Sequence, residues 1–185
     1  MLVTSLPVAV CHSTTEALVD ENTQPLTQLQ KLLATIQSTS YQRLFGSQSV
    51  GKHVRHVLEH YHTLLTGVND SIKEIDIDYE QRPRQTALEE NPDVAAKAIT
   101  LIKGSLTSST DRSMDTPIVI HHPIGYEGRS LPLTSSLGRE LAFLSSHTVH
   151  HMALIRLLCE SMSITLSSDF GVHPSTLRYW QQHPH

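Results

Sequence analysis

Cysteine is nearly absent from the 185 residues, with only Cys11 and Cys159. Two thiols cannot build a disulfide framework, so the expected setting is reducing and cytoplasmic. Lysine and arginine form no run long enough to track a phosphate backbone, and 14 of them against 18 Asp plus Glu leave a formal net charge of -4. Nucleic acid is therefore not an expected partner. No stretch approaches the roughly 18 consecutive apolar residues of a membrane span, so a membrane is not expected either. The opening MLVTSLPVAVCHSTTEALVDE lacks the basic n-region and the continuous h-region of a signal peptide. No glycine-rich phosphate loop and no Ser-His-Asp order stands out. There is no internal repeat and no low-complexity tract, and the length suits one domain over 1–185.

What is abundant is histidine, 13 residues in all. Neither His12 nor the closing HPH reads as a tag, so the excess belongs to the chain. Metal binding and pH sensing are the physical uses to weigh.

Four segments carry helical period, at about 21–37, 49–75, 91–109 and 136–163. In the first, Asn22 or Thr23 can cap a stripe of Leu26, Leu29, Leu32, Leu33 and Ile36. The second carries Val50, Val54, Val57, Tyr61, Leu64, Leu65 and Val68 in steps of three and four, and its length suits a bundle. The third has Asn91 as N-cap, Pro92 at the first helical position and Asp93 at the positive end of the dipole. Its expected core face is Val94, Ala98, Leu101, Ile102 and Leu106. The fourth presents Leu137, Leu141, Leu144, Thr148, Ile155 and Leu158. DIDYEQRPRQTALEE reads as a polar connection. TPIVIHHPIGYEGRSLPLTSS reads as a small β-hairpin or an extended crossover. The aromatics of the tail, 164–185, predict that it docks on the helices, and Ser175 is a candidate cap for a last short helix. The fold class expected is all-α, a four-helix bundle with that hairpin between helices three and four.

The fourth helix contains HTVHH. On a helical wheel His151 falls about 40° from the centre of the apolar stripe and His147 about 80°, on the same side, whereas His150 points about 140° away. His147 and His151 are an i, i+4 pair whose rings can meet at one point. A third ligand from another helix would complete the minimal site that leaves a position open for water or substrate. The second helix offers His53, His56 and His60. The same wheel puts His53 and His60 about 60° and 80° off the core and His56 about 120°, so periodicity favours His53 or His60.

SVGKHVRHVLEHY followed about 90 residues later by GRELAFLSSHTVHHMALIRLL resembles the DinB-like (DinB/YfiT-like) superfamily of metal-binding helical bundles, over roughly Thr23 to Ile164. The resemblance implies four long helices with a right-handed connection and a metal between them near one end. It implies one histidine from the second helix and two from the last. Its second-helix histidine stands six residues after a small apolar residue, here Val50, which selects His56 against the wheel. The implied triad is His56, His147 and His151, with zinc or nickel bound. Some relatives activate a low-molecular-weight thiol, so a metal-dependent hydrolase or thiol-dependent transferase acting on a small molecule is implied, and homodimers are common. Many relatives have Arg-Gly-Gln after the last ligand; this chain has Met152, Ala153 and Leu154. The alternative is a non-catalytic bundle with a structural metal or a histidine-rich dimer interface.

Other residues carry a functional and a structural reading side by side. Glu140 shares a face with His147 and is the candidate catalytic carboxylate, or adds charge to a first helical turn. Glu59 could orient the His56 ring or be a solvated helix charge. Tyr79, Arg82 and Arg84 are the candidate substrate-binding residues, with arginines suited to an anion. His121 and His122 could add a ligand if the hairpin folds over the site. Cys159 reads as a small core residue.

Overall fold

The computed structural model describes residues 14–70 and 74–183. The expectations for Cys11, His12, residues 71–73 and the final two residues lie outside the described residues. The chain is mostly helical with a small three-stranded sheet. Four long helices, α1 (Thr14–Leu33), α3 (Val50–Asp70), α5 (Pro92–Ser108) and α6 (Leu137–Ser161), pack each against two neighbours in the ring order α1, α5, α3, α6. Two short helices, α2 (Ser38–Gln42) and α4 (Thr86–Glu90), lie beside α3, and α7 (Pro174–Gln182) falls in the tail.

The first helix begins before its expected start, so Asn22 and Thr23 are interior residues rather than caps. Asn22 is fully buried; its amide donates to Leu18 O at 2.8 Å and its oxygen accepts from Tyr61 OH at 2.8 Å. Pro25 also lies inside α1, where it cannot donate to the Glu21 carbonyl. Ser145 Oγ of α6 takes that carbonyl at 3.4 Å, so the missing bond becomes a tie between helices.

The second long helix ends at Asp70 among the described residues, short of the expected 75. Ser49 caps it, accepting from Lys52 N at 3.1 Å. Ile75 and Ile77 are buried and alternate with exposed neighbours, which is strand period, and Asp76–Ile77 forms β1. The expected polar connection therefore contains β1 and α4.

The hairpin is present as β2 (Pro117–Ile124) and β3 (Arg129–Ser136), antiparallel from Pro117↔Ser136 to Ile124↔Arg129. The strand β1 joins it in parallel, at Asp76↔Val119 and Ile77↔Ile120. This pairing pins the chain leaving α3 and sends residues 78–85 back across the helix.

The caps of α5 and α6 are Asn91 and Ser136, whose side chains accept from the first-turn N–H groups. The buried face of α5 is Ala95, Ile99, Ile102 and Leu106, rotated from the expected one; Leu101 is 73% exposed. Apolar residues on every side of VAAKAITLI make that face ambiguous in sequence, and only contact with α1 and α3 selects it. In the tail Phe170 is buried, but Tyr179 and Trp180 are exposed, so one aromatic docks rather than three. His173, not Ser175, caps α7, accepting from Ser175 N.

Gly51 sits where α4 presses on α3. A Cβ there would lie 2.0 Å from the carbonyl oxygen of Glu89. Gly51→Ala is expected to lower stability by about 1–3 kcal/mol through overpacking. Gly104→Ala, in α5 with nothing within 4 Å, should raise it by about 0.5–1 kcal/mol. Urea midpoints at constant slope check both; equal shifts would show that α4 does not hold α3 closely.

Candidate metal centre

The inner faces of α3 and α6 run antiparallel, and their histidines meet in pairs along the seam. The ring centroids of His56 lie 5.0 Å from His147 and 4.5 Å from His151, and His147 and His151 are 4.6 Å apart. Ligand atoms of these three residues all fall within 4.8 Å of one another, close enough to hold a metal ion. The geometry thus groups His56, which the wheel ranked last, with the pair from α6. All three rings are half-buried, at the flank of the apolar seam, because a site between two helices need not lie on the stripe that faces the centre.

The two histidines that the wheel favoured are occupied by hydrogen bonds. His60 Nδ1 donates to His56 O at 2.7 Å, which makes Nε2 the lone-pair nitrogen, and Arg82 Nη1 donates to it at 3.1 Å. His53 Nδ1 lies 3.0 Å from His151 Nδ1. With His151 Nδ1–H as the donor, its Nε2 is the free ligand atom, and His53 orients the ring as the outer partner of a metal-bound imidazole does. His150 is exposed, as expected from its helical angle.

His147 Nε2 is buried with no hydrogen-bond partner among the described residues. Leaving a buried polar atom unpaired costs about 1–3 kcal/mol. A cation bound by the triad would satisfy that nitrogen's lone pair, and three converging imidazoles are a donor set that can hold a metal ion.

Burial, followed by repulsion between neighbouring rings and from Arg82, drives the basicity of these histidines down. From an ordinary 6.5, His56 falls to about 2, His151 to about 3, and His60 and His147 to about 4. The rings are therefore neutral, the form that binds metal.

Around this cluster lies a shell of aromatic and charged groups. Tyr79 stacks on His60 at 5.2 Å and Phe143 on His147 at 5.3 Å. Phe143 was not foreseen, although it stands four residues before His147 and so shares its helix face. Glu140 is buried, and its oxygens accept from Tyr79 OH at 2.9 Å and Ser135 Oγ at 2.5 Å rather than from a histidine. It reaches the cluster through the Tyr79 ring. Of the three substrate-binding candidates, Tyr79 and Arg82 meet the cluster and Arg84 stays exposed. Glu59 does not orient His56: it accepts from Gln85 N at 2.6 Å and lies 3.9 Å from Arg55. His121 bonds Asp76 at 2.9 Å, outside the triad. Cys159 is fully buried and its thiol is pushed up to about 11, as befits a core residue. Met152 is fully buried beneath the tail: a Cβ on Gly171 would stand 2.8 Å from its Cβ. The residue that follows His151 therefore serves packing.

No family model and no solved structure matches the chain. Among curated proteins, FK506-binding protein 5 of Rhizopus delemar is similar, 32% identical over 104 residues. The match covers 56% of this chain and 27% of that protein, so the chain spans about a quarter of its relative's length. No helix among the described residues is long and apolar enough to cross a membrane.

Depressed histidine basicity ties stability to pH. As pH falls below about 6.5, the unfolded chain takes up protons that the folded, metal-free chain refuses. Stability should therefore be complete near pH 7 and fall towards pH 4, the value to which His60 and His147 are lowered. Urea unfolding of chelator-treated protein between pH 7 and 5 checks this, and His147→Ala/His151→Ala should flatten the slope. An unchanged slope in the double variant would place the titrating groups elsewhere.

Proposed function

We propose that this chain is a DinB-like protein that holds one divalent ion, zinc or nickel, through His56, His147 and His151. The ion would serve metal-assisted hydrolysis or thiol-dependent transfer on a small molecule. The observation that carries the reading is three neutral histidine rings from two helices whose ligand atoms converge within 4.8 Å. The ring of four long helices, with two short helices and the hairpin outside it, supports the bundle that the sequence resemblance implies. FK506 binding, named for the relative, is not carried into this reading, because the match covers only 27% of that protein.

A divalent ion with an open position lowers the pKa of bound water to about 7 in favourable sites and deprotonates a bound thiol. The rest falls to the protein. Arg82 holds the lone pair of His60 at 3.1 Å and so keeps a fourth imidazole from closing the shell. That favours a site with exchangeable positions over a purely structural one. The same guanidinium lies in the loop beside the cluster, where it can attract an anionic group. His53 steadies His151, and Tyr79, held by Glu140, stacks against His60.

Elemental analysis of the purified protein should find about one zinc or nickel per chain. His147→Ala should remove it and His150→Ala should retain it. His53→Ala should weaken binding about 10- to 100-fold as an orienting partner. Equal metal loss in the His147 and His150 variants would sink the triad.

A further inference from the structure

Between the hairpin and the first two turns of α6 lies a cavity of about 350 Å³. None of the histidines of the triad lines it, but Tyr79 and Phe143 do, and these rings stack on His60 and His147. Ile120 and Leu133 complete an apolar wall, and Leu133 is 46% exposed despite its size. The polar wall is unusual. Glu140 is only 5% exposed and forms no ion pair among the described residues, and each of its oxygens accepts a single O–H, leaving capacity for another donor. Arg139, next to it in the chain, also lines the cavity and forms no ion pair among the described residues. Glu140 holds Tyr79 through one oxygen, and its remaining acceptor capacity faces the cavity together with the exposed Arg139 and the apolar wall.

We propose that this cavity binds a small amphipathic anion. Its flat apolar body lies against Phe143, Leu133 and Ile120. An N–H donates to Glu140, and a carboxylate or sulfonate group meets Arg139. The volume is near the lower end of about 300–1,000 Å³ for small-molecule sites, so one or two rings fill it. The site needs no metal, and it goes beyond the function proposed above. Its occupant rests against the two rings that back the histidines.

The probe 8-anilinonaphthalene-1-sulfonate carries all three groups: a flat aromatic body, an N–H and a sulfonate. Titrated by fluorescence into the folded 185-residue chain, it should saturate at one per chain. Arg139→Gln should weaken it tenfold or more, and Leu133→Glu should abolish the signal. Arg129→Gln, an exposed arginine of the same hairpin, should leave it within twofold, as should His56→Ala, which removes a triad ligand without touching the cavity wall. The His56 variant separates this site from the metal centre: loss of metal with dye binding intact is the expected pairing, and loss of both would overturn a separate site. No saturable binding, or equal weakening in the Arg139 and Arg129 variants, would also overturn it. Arg139 and Leu133 are surface residues, and melting curves show whether their variants remain folded.

Discussion

The register of α3 on α6 is the constraint on which the rest depends. It is set in the core by Tyr61, whose hydroxyl donates to Asn22 of α1 and lies 3.3 Å from the Thr148 hydroxyl of α6. Three helices are thus keyed together at one buried polar point, where an unpaired group would cost about 1–3 kcal/mol. His60 and His147 are the chain neighbours of Tyr61 and Thr148. A slip of one helical turn is about 5.4 Å. That exceeds the 4.8 Å within which the ligand atoms of His56, His147 and His151 converge. The close packing of Tyr61 on Thr148, whose own hydroxyl donates to Leu144 O at 2.7 Å, goes with the register that brings the histidines together.

Gathering so many imidazoles in one seam has an electrostatic cost, and the protein meets it by keeping them neutral. Burial and mutual repulsion hold the four rings of the cluster far below their usual basicity. Arg82 contributes to this repulsion while also donating to His60. One guanidinium thus disfavours protonation of the rings and occupies the lone pair of His60. Beyond it, Glu140, Tyr79 and Phe143 connect the histidines to the hairpin, so that the sheet, minor in size, shapes the chamber beside the site.

Much of the helical frame was legible in the sequence because it is local. The stripes of α1, α3 and α6, the cap Asn91, and the hairpin signal of IGYEG all appear where short-range patterns put them. The face of α5 was not legible, because VAAKAITLI has apolar residues on every side and only its neighbours choose one. The strand β1 was missed at two residues, although buried Ile75 and Ile77 carry the period of a strand. The start of α1 was misplaced because Asn22 resembles a cap, while its partner Tyr61 is 39 residues away. At the site, the His147–His151 pair follows from helical period, but His56 came from the resemblance against the wheel. A stripe drawn from apolar residues finds the centre of a core, not a site on the flank between two helices.

By itself the sequence determined the elements and the inventory: four amphipathic helices, a hairpin, an i, i+4 pair of histidines facing one way and a third facing solvent. These follow from backbone period and capping, which act over a few residues. Only the tertiary structure decided the partners. It grouped His56 with the pair from α6 within 4.8 Å, gave Arg82 to His60 and His53 to His151, left His147 Nε2 without a partner among the described residues, and set Glu140 behind Tyr79. Those choices rest on contacts between residues far apart in the chain, and no local pattern records which lone pair another helix or loop will take.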